Sequence, residues 1–265
     1  MGSYLVRRFL LMVLTLFGMS VLIFVMLRLV PGNIADILVD AAGADPRDKI
    51  KIARELGIDR PITEQYVAWI SGLSRGDLGY AYVSERPALE EIAPRIPISA
   101  KLAGMAVLFS VIIGVPFGVI SAVRQNTGLD YVLRVVSLSG LSLPSFWLGL
   151  LVLMAAVHWF GTIPIYDSNS KGFWQDVAML SLPALTVGFR SSALIMRLTR
   201  SSMLEVLRQD YVRTARSKGA TNHSVNYNHA LRNALLPVVT IIGIEAAFLV
   251  GGLIVTETVF NIPGV

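Results

Sequence analysis

Five apolar runs set the limits on what this chain can fold into: Phe9–Val30, Leu102–Val123, Val135–Phe160, Val177–Met196 and Ala234–Val255. About 30 Å of hydrocarbon is crossed by about 20 residues at the rise of an α-helix, and each run is long enough. Lipid offers no partners to backbone N–H and C=O groups, so a spanning segment must satisfy them internally, as a helix does. At 54% hydrophobic and 15% charged residues, the composition is too apolar for an ordinary soluble domain. The predicted fold class is an all-α membrane protein, a polytopic helical bundle.

The orientation follows from where the charges lie. Arg7 and Arg8 precede the first run, and Val30-Pro31-Gly32-Asn33 follows it. A secretory signal would have a shorter apolar core of about 7–15 residues and a small-x-small cleavage site. We therefore read an uncleaved helix with its N-terminus in the cytosol. The stretch 31–101 is polar, nearly balanced in charge and punctuated by Pro and Gly, and reads as a small external helical segment. Asp45-Pro46 to Gly57 predicts one helix, with Asp45 as N-cap, Pro46 at its first position and Gly57 just past its end. Thr63–Leu73 predicts a second, with Tyr66, Val67, Ile70 and Leu73 on one face, and Pro87–Arg95 a third. Arg124 to Arg134 is a short cytosolic connection holding one acid, Asp130. Trp159, Phe160, Tyr166 and Trp174 fit an aromatic belt at the outer interface. The stretch 197–232 carries Arg197, Arg200, Arg208, Arg213, Arg216, Lys218 and Arg232 against Glu205 and Asp210. It is the strongest positive-inside signal in the chain and reads as a polar cytosolic loop. Pro116, Pro144 and Pro183 fall inside spans and read as simple kinks, with Gly140, Ser142, Ser145 and Gly149 suited to close helix packing. Two parts follow: 1–96, the first helix plus the external segment, and 97–265, a transmembrane core.

Several function classes are excluded. The chain has no cysteine, so there are no disulfides, thiol nucleophiles or zinc-thiolate sites. The net charge of +5 and the pI of 9.6 belong to inward-facing loops, with no basic stripe of interleaved aromatics for nucleic acid. No GxxxxGK[ST] is present, so this chain is not expected to bind ATP or any other cofactor or metal. An intramembrane hydrolase would need a nucleophile and a base within the spans, and His158 lies at the outer interface. A secondary transporter would need inverted repeats and coupling carboxylates, and Glu245 is the one acid at mid-span. Arg28 lies near the outer end of the first span and can snorkel to the interface. Arg190 and Glu245 are costly in hydrocarbon unless paired or facing water. By helical rise they lie about 9 Å and about 16 Å from the cytosolic ends of their spans. They are expected to face the bundle interior, either as an ion pair or lining a translocation path.

The loop carries the most specific motif. Arg213-Thr214-Ala215, then Gly219, then Leu236-Pro237 resemble the E-A-A-x-x-x-G loop of permease subunits in bacterial ABC importers, with Arg213 where that pattern has Glu. Asp210–Gly219 and His229–Pro237 are similar to the dipeptide, oligopeptide and nickel branch almost letter for letter. So are Val30-Pro31-Gly32, Gly76-Asp77-Leu78-Gly79, Pro144-Ser145-Phe146-Trp147-Leu148-Gly149, Leu182-Pro183-Ala184-Leu185-Thr186 and Thr258-Val259-Phe260-Asn261-Ile262-Pro263-Gly264.

The resemblance implies an inner-membrane permease subunit of an ATP-driven peptide importer, not itself an enzyme. The same machinery carrying nickel chelates or glutathione is the close alternative. It implies a second homologous permease, two cytosolic ATPase subunits that hold ATP and Mg, and an external substrate-binding protein. It also implies six transmembrane helices, of which five are visible here, so the sequence reads as truncated. Asp210, Tyr211, Arg213, Thr214, Ala215, Lys218, Gly219 and Ala220 would form the ATPase-coupling element. Tyr211, Val212, Ala215 and Gly219 are the small or apolar residues expected to dock, while Arg213, Arg216 and Lys218 stay in water. Gly219 is expected to end the helix in a left-handed conformation. On spacing alone, a docking helix and a solvated basic loop beside anionic lipid are equally good readings.

Overall fold

The computed structural model describes residues 2–29, 57–81, 84, 86–161, 166, 172–251 and 253–264. The chain divides into two units, Met1–Glu91 and Ile92–Val265. In the first, α1 (Gly2–Leu29) is apolar around its whole circumference, as a helix surrounded by lipid must be. Its Phe24 is buried against the rings of Tyr66 and Trp69 on α2 (Ile62–Ser74), at centroid distances of 5.3 and 5.8 Å. Ser20 and the Tyr66 hydroxyl share a hydrogen bond of 2.7 Å. The inward face of α2 therefore carries Tyr66, Trp69, Ile70 and Leu73, and Val67, expected on that face, points away at 62% exposure. A two-residue hairpin pairs β1 (Tyr80–Ala81) with β2 (Arg86–Pro87). It leads into a short α3 (Ala88–Ile92), where one longer helix to Arg95 was expected. The helix expected from Asp45 to Gly57 lies outside the described residues apart from Gly57 itself.

The second unit is built on two long helices, α4 (Ile96–Val123) and α7 (Phe173–Val206). They run parallel and touch along their length. Their contact stripe reads Ala103, Ala106, Ser110, Gly114, Gly118 and Ala122 on α4, small residues three or four apart. On α7 it reads Ala184, Gly188, Ser192, Ile195 and Thr199. The approach is close enough to require glycine. A Cβ on Gly114 would lie 2.8 Å from the Ser192 carbonyl oxygen, and one on Gly118 would lie 2.7 Å from that of Met196. A Cβ on Gly188 would lie 2.8 Å from the Ala106 carbonyl oxygen. Two hydroxyls in this seam bond within their own helix, Ser110 to Val107 O and Ser192 to Phe189 O, both at 2.7 Å, while Thr199 Oγ1 has no partner among the described residues. The seam ends in two apolar clusters. One holds Leu102, Leu180, Val187, Leu249, Leu253 and Ile262, and the other holds Val119, Ala122, Met203, Ala230 and Ala234.

The remaining helices pack around this pair. The expected third span is not one helix. It is α5 (Gly128–Ser142) and α6 (Ser145–Phe160), which meet at 111°. Pro144 disfavours helical dihedrals at the residue before it, and Leu143 is extended at ψ 132°. Gly140 and Ser142 just ahead of it are weak helix formers, so nothing local opposes the break. Pro116 and Pro183 remain inside unbroken helices.

The expected loop 197–232 is also mostly helical. Helix α7 runs on to Val206, a short α8 (Asp210–Ser217) follows, and α9 (Asn222–Gly251) begins well before the last span. Val225–Leu231 within α9 forms a π-helical turn. A final α10 (Ile254–Val259) packs on α6, with Gly149 against Val259 and Phe260. Among the described residues four helices are long and apolar enough to span, and the bent α5–α6 pair makes a fifth.

The seam yields a direct test. Gly118→Leu should force α4 and α7 apart at a cost of about 3 kcal/mol or more, since backbone rather than a flexible side chain opposes it. Gly104→Ala, whose added Cβ meets nothing within 4 Å, should leave the protein unchanged. Thermal unfolding of the solubilised protein, with the yield of monodisperse material, distinguishes the two.

Candidate functional site

Helix α8 hangs from the end of α7 by only three residues, Leu207, Arg208 and Gln209. Its one fully buried side chain is Val212, and Ala215 beside it is half-buried. Both turn toward the chain's own core, so the apolar residues expected to dock elsewhere hold α8 in place instead. Tyr211 helps: its hydroxyl accepts from Asn233 Nδ2 at 2.8 Å and donates to His229 O at 3.4 Å. This ties α8 to the start of α9.

The helix ends as the sequence predicts. Gly219 has φ +84°, its N–H reaches Arg216 O at 2.9 Å, and the N–H of Ala220 reaches Ala215 O at 3.1 Å. These are the two bonds of a Schellman cap, which satisfies carbonyls the helix end would otherwise leave open.

What α8 presents outward is polar: Asp210, Arg213, Thr214, Arg216, Ser217 and Lys218 are all exposed. Arg213 lies 3.7 Å from Asp210, with side chains 76% and 97% exposed. An ion pair in that setting contributes little, and both groups remain open to a partner. Thr214 turns its hydroxyl back to Asp210 O at 2.9 Å. Ala220 is half-buried and Gly219 has open space around it. The structure thus brings Asp210, Tyr211, Arg213, Thr214, Ala215, Lys218, Gly219 and Ala220 onto one capped helix. Its inner side is fixed and its outer side is charged.

Arg190 and Glu245 do not meet. Glu245 is buried and accepts from the Ser191 hydroxyl at 2.6 Å, across the α7–α9 contact. Arg190, one residue earlier on α7, is exposed. Adjacent helical positions are about 100° apart, so the face that puts Ser191 on Glu245 turns Arg190 away. Of the two expected arrangements, the ion pair does not form, and Glu245 is held by a serine–carboxylate hydrogen bond instead.

The strongest electrostatic contact near α8 was not singled out from sequence. Asp130, fully buried in the first turn of α5, takes a two-pronged contact from Arg200 of α7. Nε donates to Oδ1 at 2.8 Å and Nη2 to Oδ2 at 2.9 Å. Ser121 on α4 donates to Oδ1 at 2.5 Å, and the Asn126 N–H donates to Oδ2 at 3.0 Å. One carboxylate therefore joins α4, α5 and α7, toward the end of α7 from which α8 hangs. The signal was present in Thr127-Gly128-Leu129-Asp130, a capping-box spacing. Thr127 does cap α5, accepting from the Asp130 N–H at 3.4 Å. A third buried acid, Glu257 on α10, accepts from Ser99 at 2.5 Å at the opposite end of α4.

Removing one partner of a buried pair strands the other charge, at about 3–5 kcal/mol. Asp130→Ala should therefore lower the thermal stability of the solubilised protein by that order. Replacing both residues, Asp130→Leu with Arg200→Met, should recover a large part of the loss. A double-mutant cycle of melting temperatures reads the coupling directly.

Comparison with known proteins agrees with this architecture. Residues 114–265 match the family described as binding-protein-dependent transport system inner membrane component, and residues 1–103 match the N-terminal family of such membrane components. The dipeptide transport system permease protein DppB of Escherichia coli K12 is 38% identical over 289 residues, covering 100% of this chain and 85% of that protein. DppB of Alkalihalophilus pseudofirmus is 36% identical over 287 residues, covering 100% and 86%. The glutathione transport system permease protein GsiC of Escherichia coli K12 is 38% identical over 264 residues, covering 100% and 84%. With matches of that extent over a bundle of apolar helices, the chain belongs to the inner membrane permease components of binding-protein-dependent transport systems.

Proposed function

We propose that this permease moves dipeptides or short oligopeptides inward, working with a second homologous permease and an external substrate-binding protein. Two cytosolic ATPase subunits, which carry ATP and Mg, supply the energy. The observation that carries the coupling role is α8: a short capped helix, locked on its inner side by Val212 and Tyr211, with Arg213, Arg216 and Lys218 outward. A solvated connector needs no such anchoring. The positive-inside charge of 197–232 supports a cytosolic place for this helix, within reach of a soluble partner. By the same charge rule the N-terminus is read as cytosolic and the segment 31–101 as external, where it would receive the binding protein.

The mechanical consequence follows from rigidity. ATP-driven closure of the partner subunits shifts α8. The three-residue link passes the shift to α7, and the glycine seam with the Asp130–Arg200 contact passes it to α4 and α5. The group moves as one body, which turns a change at the cytosolic end into a change of access along the bundle. Such a step requires a ligand that binds the two states unequally, and ATP on the partners fills that role.

The relatives named for dipeptide transport support the substrate class. The relatives named for glutathione transport favour one second reading, a tripeptide-sized thiol substrate. Uptake of labelled dipeptide against labelled glutathione by the reconstituted assembly separates them.

The coupling role predicts the following. Arg213→Glu with Arg216→Glu should reduce the stimulation of ATP hydrolysis by peptide-loaded binding protein about ten-fold or more, as mispaired charges at a docking surface do. Melting temperature should not change, because both side chains are exposed. Undiminished stimulation in that variant would remove α8 from the coupling path.

A further inference from the structure

The cationic crevice between α5 and α7 shares Ser121 and Arg200 with the Asp130 contact, and its other two arginines, Arg134 and Arg197, have no part in the contacts described so far. It has a volume of about 520 Å³. Arg134 of α5 and Arg197 and Arg200 of α7 line it. Leu138, Leu141 and Met196 give it an apolar stretch. The charge within it is unbalanced. Asp130 engages only Nε and Nη2 of Arg200 and is itself saturated by four hydrogen bonds. Arg134 and Arg197 are both exposed, and among the described residues neither meets a carboxylate within 4.0 Å. The only contact of the Arg134 guanidinium with a ring is to Tyr131, 4.5 Å from its centroid, which fixes its position and leaves its hydrogens free. Two uncompensated guanidinium groups therefore face a single hollow.

We propose that this crevice holds an anionic phospholipid of the cytosolic leaflet, with its phosphate between Arg134 and Arg197 and one acyl chain along Leu138, Leu141 and Met196. The depth is right. Helix α7 has 34 residues, about 51 Å by rise, against about 30 Å of hydrocarbon. Arg197 lies about 36 Å along it, where the helix leaves the hydrocarbon and phosphates lie. Arg134 is about 9 Å into α5 from the same side. The chemistry is right as well. A planar guanidinium offers paired donors that match phosphate oxygens. Basic hollows between helices on the cytosolic side suit acidic lipid headgroups. The apolar lining decides between an amphiphile and a soluble anion. A soluble anion would leave Leu138, Leu141 and Met196 uncovered, whereas an acyl chain covers them, Leu138 above all at 63% exposure. The placement rests on the cytosolic orientation proposed above, and the lipid contact itself does not depend on the substrate being a peptide.

The test uses the intact assembly with its permease and ATPase partners, purified in mild detergent. Phosphatidylglycerol is the probe. It is supplied in vesicles mixed with phosphatidylcholine, and bound lipid is quantified by mass spectrometry after washing. Each arginine near an anionic surface contributes about five-fold in affinity, so Arg134→Gln with Arg197→Gln should weaken retention about twenty-five-fold. The double lysine variant should keep most of it. Arg208→Gln, an exposed charge outside the crevice, should behave as the parent. No peptide or nucleotide is present, so failure of the transport reading leaves this readout intact. The proposal is overturned if the double glutamine variant retains as much lipid as the parent. It is equally overturned if Arg208→Gln loses as much, or if phosphatidylcholine is held as tightly. Cross-linking from a single cysteine at Arg134 to the second permease subunit, with lipid retention unchanged, would instead assign the crevice to the subunit interface.

Discussion

The close approach of α4 to α7 is the constraint on which the rest of the second unit depends. In lipid there is little hydrophobic drive for helices to associate, because lipid tails are as apolar as the side chains. Association therefore rests on van der Waals contact and hydrogen bonds between surfaces that fit. Gly114, Gly118 and Gly188 let the two backbones meet at distances a Cβ would forbid. With that seam closed, Leu102 and Leu180 are brought together at one end, and Val119 and Met203 at the other. The short link to α8 then places that helix at the end of a stiff pair, where a single flexible helix would transmit little.

Buried charge is handled in one recurring way. Asp130, Glu245 and Glu257 are the three buried carboxylates among the described residues, and each accepts from a serine of α4 or α7: Ser121, Ser191 and Ser99. A serine is small enough for the seam and carries the donor that an ionised or protonated carboxyl needs in a poorly solvating interior. Among the described residues only Asp130 also has a cation, and it is the one placed where α4, α5 and α7 meet. The result is a firm joint toward the end of α7 that carries α8. The contacts of Glu245 and Glu257 are neutral-donor bonds and hold their helices less tightly.

Much of this was legible in the sequence, for physical reasons. Span positions follow from hydropathy because lipid leaves the backbone no alternative to a helix. The left-handed Gly219 followed from its place after Asp210–Ser217. Other features were not legible because they depend on what lies across the helix. Arg190 and Glu245 have compatible depths, and only the rotation of α7 shows that Ser191, not Arg190, faces the carboxylate. Polarity made 197–232 look like a loop, although α7 runs on to Val206 and α9 begins at Asn222. Pro144 breaks its helix while Pro116 and Pro183 do not, a difference set by neighbouring residues and packing as well as by proline itself. Val212 and Ala215 looked like docking residues because periodicity reports an apolar face but not what that face touches.

The central claim is that α8, α7 and α4 move as one body. The chain has no cysteine, so spin labels can be placed singly without background. The most direct measurement is the distance between labels at Leu108 on α4 and Arg216 on α8, by pulsed electron paramagnetic resonance, in the reconstituted assembly with and without trapped ATP. Both sites are exposed. The account predicts one unchanged distance distribution in the two states, while a label pair from Arg216 to the second permease subunit shifts. A change between Leu108 and Arg216 larger than the width of the distribution would contradict it, and would mean that α8 moves on a hinge instead of carrying the bundle with it.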